Sequence, residues 1–180
     1  MPSINLGNNI FYSLSGAAAE SKGYSNVGLR LGSGNNIIVL NKEFIQRKLF
    51  LNQKDLEYLK EFEGLSIDEI ARDPGKHAAV ERYLERLISR AIDINQHIIA
   101  EKIDITVGTL TYRDTFLKLA DAGAYPKEFA EKIAPSAGLR NALVHEYNNI
   151  DPEMLRKSIG EAIQEYNDYA RYIIAFLEKE

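Results

Sequence analysis

Val80, Leu84, Leu87, Ala91, Ile94 and Ile98 recur at intervals of four, three, four, three and four residues. On a strand, alternate side chains face opposite ways, so this set cannot gather on one side; on an α-helix all six share one stripe. A stripe this regular is the seam of a helical bundle, and it dictates the fold class more than any other feature of the chain. Asp73-Pro74 marks the start of the helix that carries it, with the aspartate as N-cap and the proline at the first helical position.

The neighbouring segments follow the same logic. Asn41 is a suitable N-cap for a helix through about Phe62, with Ile45, Leu49, Leu56 and Leu59 on one face. Ser66 and Glu69 have capping-box spacing, and Leu65 and Ile70 are placed as a hydrophobic staple. Thr111 and Asp114 open a shorter helix that Gly123 can end. Pro126 and Pro135 each suit a first helical turn, which divides the next stretch into a short helix and a second one. Asn148-Asn149 can stop that second helix. Asp151-Pro152 opens the last helix, with Leu155, Ile159, Ala162, Tyr166, Tyr169, Ile173 and Leu177 facing inward. The expectation is an all-α, up-and-down bundle of four main helices plus short ones over residues 41–180.

Residues 1–40 are of a different kind. They hold only three charges, Glu20, Lys22 and Arg30, and are rich in Gly, Ser and Asn. The runs "GNNIFYSL" (7–14) and "GNNIIVLN" (34–41) place apolar residues after turn residues, which reads either as two strands of a β-hairpin or as a flexible leader. No role follows for this extension.

Several chemistries are excluded or disfavoured by composition. The chain of 180 residues has no cysteine, so disulfides, thiolate ligands and cysteine nucleophiles are absent, which suits a reducing cytoplasm. Its three histidines, His77, His97 and His145, lack metal-binding spacing. A net charge of −4 means that nucleic acid is not attracted by bulk charge; any RNA contact must be local or assembled between subunits. No stretch approaches the length and apolarity of a membrane span, and the N-terminal pattern is not that of a signal peptide. The expectation is a soluble cytoplasmic protein with no membrane or DNA partner.

The chemistry-bearing stretch is "GLRNALVHEYNNID" (138–151). On an ideal helix Arg140 and Tyr147 fall within about 20° of each other, while His145 stands about 140° from Arg140. Leu139, Ala142 and Leu143 form a third, apolar face for docking on the bundle. Arg140 and His145 therefore flank the exposed arc without converging. Arg140's length, unwinding near Asn148, or a second copy of the helix across a twofold axis would unite them; the twofold also doubles the local positive charge. A neutral imidazole can take the proton of a ribose 2′-OH, and a guanidinium can grip a phosphate and stabilise charge developing on it. Taken singly, each residue has a plainer role: His145 as a helix-end residue favoured by the dipole, Arg140 as a surface cation, Tyr147 as a packed amphipathic residue.

"RNALVHEY" has the form R-x-x-x-x-H-x-Y, and with the leading "AGL" and the following "NID" it resembles the HEPN superfamily, in particular its HepT-like toxin branch. "AVERYLERLISRAIDINQHIIAE" (79–101) is similar to that family's long second helix and "YRDTFLKLADAG" (112–123) to its middle segment, so the resemblance spans about 42–178. It implies a homodimeric bundle acting as a metal-independent endoribonuclease toxin without a cofactor. Arg140 and His145 are then catalytic and Asn141 is the supporting polar residue. It further implies an MNT-type minimal nucleotidyltransferase antitoxin that uses ATP and Mg to adenylylate Tyr147. The family leans towards tRNA as substrate. Residues 1–40 depart from the family pattern. The competing reading is a non-catalytic bundle that dimerises and docks a minimal nucleotidyltransferase, and the acidic net charge favours it. His77 and His97 read as ordinary structural residues.

Overall fold

The computed structural model describes residues 40–103, 107–145 and 150–180, and among them every regular element is helical. The elements are α1 (Lys42–Glu63), α2 (Ile67–Ala71), α3 (Pro74–Lys102), a 3₁₀ turn (Val107–Thr109), α4 (Tyr112–Asp121), α5 (Lys127–Ile133), α6 (Ser136–His145) and α7 (Pro152–Lys179). The expected strand pair at 7–14 and 34–41, apart from Leu40 and Asn41, lies outside the described residues, as do Tyr147 and the helix stop at Asn148-Asn149; Leu40 and Asn41 belong to no strand, and Asn41 caps α1.

Each start signal acts as its chemistry requires. The Asn41 side chain accepts from the Phe44 N–H at 2.9 Å, and Asp73 accepts from Gly75 and Lys76. Ser66–Glu69 and Thr111–Asp114 form reciprocal capping boxes, with Leu65 partly buried and Ile70 fully buried as the staple. Helix α4 ends in a Schellman arrangement: Gly123 takes φ +77°, its N–H bonds to Ala120 O, and Ala124 N–H bonds to Leu119 O. Pro126 and Pro135 stand just before α5 and α6 rather than in their first turns. There the fixed φ of the ring still suits helix entry, and no N–H is owed.

Helix α3 is the spine. At 29 residues it is roughly 43 Å long, and all six members of its seam are buried. α1 packs on α3 and α7, while α4 and α6 cover another side of α3 and α5 packs on α4. Directions follow from paired residues. Asp55 meets Arg86 and Arg90, and Lys48 meets Asp93, so α1 and α3 are antiparallel. Lys42 reaches Leu177 O while Arg156 reaches Leu65 O, so α1 and α7 are antiparallel as well. Arg140 meets Ser89, and Ile150, just beyond α6, lines a cleft with Pro74, His77 and Ala78, so α6 runs back along α3. Thus α1, α3, α6 and α7 alternate in direction, and α2, α4 and α5 are the short additions.

Two polar groups interrupt this core. Between α1 and α3, the buried Asp55 carboxylate takes both Arg86 and Arg90, and Asn52 donates to Leu87 O at 3.3 Å. Between α3, α4 and α7, the Tyr169 hydroxyl donates to Asn95 Oδ1 at 2.7 Å, Asn95 Nδ2 reaches Thr115 Oγ1, and Thr115 donates to Tyr112 O at 2.7 Å. A third group of rings, Tyr125, Phe129 and Tyr172, fills the space beneath α5.

His97 is structural, as expected. Its Nε2 accepts the Asn41 N–H at 3.3 Å and its ring lies 4.9 Å from that of Phe44. Burial holds the imidazole below its ordinary value of 6.5, against a smaller opposing pull from Glu101. The folded chain therefore binds this proton less readily than the unfolded one, so the contribution is present above pH 6.5 and lost as pH falls below it. Thermal melts from pH 8 to pH 5 are expected to show a decline that is shallower in His97→Gln; equal slopes in the two proteins would remove His97 as its source.

Candidate functional site

Helix α6 presents the motif. Ala137 is buried, Leu139 and Leu143 pack against the core, and this apolar side fixes the rotation of the helix on α3. Asn141 and His145 are exposed, and His145 is the last residue of the helix. The helix is regular from Ser136 to His145, so the five-residue spacing separates Arg140 and His145 by roughly 7.5 Å along the axis and about 140° around it. Within one chain the two side chains leave α6 on different sides, as the spacing predicted.

Arg140 differs from the free surface cation that spacing alone suggests. It is half-buried, its Nε donates to Ser89 Oγ of α3 at 3.4 Å, and its guanidinium carbon lies 5.1 Å from the centroid of the Tyr112 ring on α4. No carboxylate pairs with it among the described residues, whereas Arg86 and Arg90 are both committed to Asp55. The site thus contains a held but unneutralised cation on one side of α6 and an accessible imidazole at its end, a pairing suited to binding an anion and moving a proton. Nothing in the local pattern links positions 89 and 112 to 140, although Tyr112 opens the segment "YRDTFLKLADAG" that carried part of the family resemblance.

An alternating helical bundle with R-x-x-x-x-H on a helix laid against its longest member is a HEPN-type bundle. Solved structures agree on the fold. One described as the crystal structure of a toxin–antitoxin with AMP-PNP has a TM-score of 0.67 at 19% identity and covers 74% of this chain and 99% of its own. The cytosolic protein of unknown function YutE from Bacillus subtilis also has a TM-score of 0.67, at 18% identity, covering 78% of this chain and 92% of its own. A tri-AMPylated Shewanella oneidensis HEPN toxin in complex with MNT antitoxin has a TM-score of 0.65 at 20% identity, covering 74% of this chain and 98% of its own.

The model of the ribonuclease HepT-like family matches residues 53–173. The tRNA nuclease HepT of Aphanizomenon flos-aquae is 37% identical over 134 residues, covering 74% of this chain and 89% of that protein. The chain belongs to the ribonuclease HepT-like family. Among the described residues no helix is long and apolar enough to cross a membrane.

Proposed function

We propose that this chain is a cytoplasmic, metal-independent endoribonuclease toxin that acts as a homodimer on RNA, with tRNA the substrate suggested by its relative's activity. The observation that carries the reading is Arg140, held in place with no carboxylate partner among the described residues, on the helix that ends in exposed His145. In the reaction His145 accepts the proton of a ribose 2′-OH as O2′ bonds to the adjacent phosphorus. Arg140 stabilises the charge that develops on the phosphoryl oxygens. The bond from phosphorus to O5′ breaks, the leaving oxygen takes a proton, and the products are a 2′,3′-cyclic phosphate and a 5′-OH. DNA has no 2′-OH and is spared. Asn141, exposed one residue beyond Arg140, is available to support the substrate phosphate.

The proposed switch is adenylylation of Tyr147 by an MNT-type nucleotidyltransferase antitoxin using ATP and Mg. The neighbouring structure of an AMPylated HEPN toxin bound to MNT antitoxin supports that kind of partner. A phosphodiester on Tyr147, seven residues along the chain from Arg140, adds a negative charge that competes with substrate phosphate for the guanidinium.

Incubation of the unmodified chain with total RNA in EDTA is the direct test. Cleavage leaving 2′,3′-cyclic phosphate and 5′-OH ends, with DNA intact, is the expected result. A newly formed 3′-OH paired with a 5′-phosphate at the cut, or cleavage abolished by EDTA and restored by a divalent ion, would overturn the mechanism. Co-expression with the antitoxin is expected to add AMP-sized increments to the intact mass, located on Tyr147.

A further inference from the structure

Among the described polar residues of the motif, Arg140 alone is gripped by other helices, and both of its holders are uncharged. The Ser89 hydroxyl receives Nε–H, and the Tyr112 ring lies against the guanidinium. An aspartate or glutamate in either place would hold the arginine more firmly but would neutralise it. A hydroxyl and an aromatic ring orient the guanidinium and leave its positive charge available. Engaging Nε–H also leaves the two terminal nitrogens, with four of the five N–H donors, for an oxyanion.

Tyr112 is itself firmly placed although the residue is 38% exposed. It is the first residue of α4, bracketed by the Thr111–Asp114 capping box, and its carbonyl accepts from the Thr115 hydroxyl at 2.7 Å. Thr115 is reached by Asn95, which accepts from Tyr169, all three of them buried. A connected set of polar contacts thus runs from α7 through α3 to the backbone of α4 at Tyr112, the residue whose ring faces Arg140.

We propose that Tyr112 and Ser89 are positioning residues for the RNA-cleavage reaction: they fix the direction of the Arg140 guanidinium towards the scissile phosphate without reducing its charge. This rests on the proposed role of Arg140. Because they act on a group that stabilises developing charge, their loss lowers kcat more than it raises KM.

The test compares Tyr112→Phe, Tyr112→Leu, Ser89→Ala and Arg140→Ala on a tRNA pool in EDTA, with thermal melts of each. Tyr112→Phe keeps the ring and is expected within about twofold of wild type, whereas Tyr112→Leu loses roughly tenfold in kcat. Ser89→Ala is expected to lose about threefold to fivefold. The Arg140 Nε–Hε NMR signal is expected to move in Tyr112→Leu, as the ring current disappears, and to keep its place in Tyr112→Phe. Wild-type kcat in Tyr112→Leu, with Arg140→Ala inactive, would overturn the positioning role alone. Equal losses in Tyr112→Phe and Tyr112→Leu, tracking a lower melting temperature, would reduce Tyr112 to a packing residue. Wild-type cleavage by Arg140→Ala would instead remove the proposed site itself.

Discussion

Asp55→Ala is expected to destabilise the chain by about 3 kcal/mol, the lower end of the range for breaking a buried ion pair. The Asp55 side chain is 5% exposed; its Oδ1 accepts from Arg86 Nη2 at 2.5 Å, and its Oδ2 accepts from both Arg86 Nε at 3.2 Å and Arg90 Nη1. Removing the carboxylate leaves two guanidinium groups at the α1–α3 contact with no counter-charge. Arg86 is 34% exposed and can turn towards water, over the Tyr83 ring that it already covers, which limits the loss. Arg90, 18% exposed, is left among the described residues with Leu51 O and Asn52 Oδ1, each at 3.4 Å. For a chain of 180 residues the expected drop in melting temperature is about 6–12 °C. Replacing all three members by apolar residues of similar volume, in Asp55→Leu with Arg86→Met and Arg90→Met, is expected to recover most of it. A change below about 1 kcal/mol in Asp55→Ala would show that the arginines are adequately solvated and that the cluster is not a clamp.

The same cluster shows where sequence reading reaches its limit. Ile45, Leu49, Leu56 and Leu59 declared the inward face of α1, and the seam of α3 was complete from Val80 to Ile98; both are buried as expected. The α1 stripe nevertheless has a gap. Position 52, which completes its four-three-four rhythm, is an asparagine, and Asp55 lies beside the seam. A polar residue at a seam position signals a buried partner, but nothing local says that the partner is Arg90, 38 residues away. Asn95, next to the α3 seam, poses the same problem, solved only when Tyr169 and Thr115 arrive from two other helices. Helix starts were legible because caps are contacts within three residues. The motif helix was legible in the same way, since a five-residue spacing fixes the angle between Arg140 and His145. The setting of Arg140 was not, because Ser89 and Tyr112 reach it across the chain fold.

His145→Ala is expected to reduce RNA cleavage by a factor of about 10²–10⁴, the range for loss of a general base. Its effect on stability should stay within about 0.5 kcal/mol, because the side chain is exposed at the end of α6. Cleavage at the wild-type rate by the folded variant would end the catalytic assignment. A second experiment asks how the two residues meet. They leave α6 about 140° apart, so one copy of the helix does not readily aim both at the same phosphate. If each site takes Arg140 from one chain and His145 from its partner, mixing inactive Arg140→Ala with inactive His145→Ala creates mixed dimers. Each of these has one site carrying both defects and one site intact. Random pairing then restores about a quarter of the wild-type activity. If both residues act within one chain, every site in every mixed dimer keeps one defect, and mixing restores nothing. Recovery after dissociation and reannealing, absent when the two variants are combined without exchange, would place the reaction between two copies of α6.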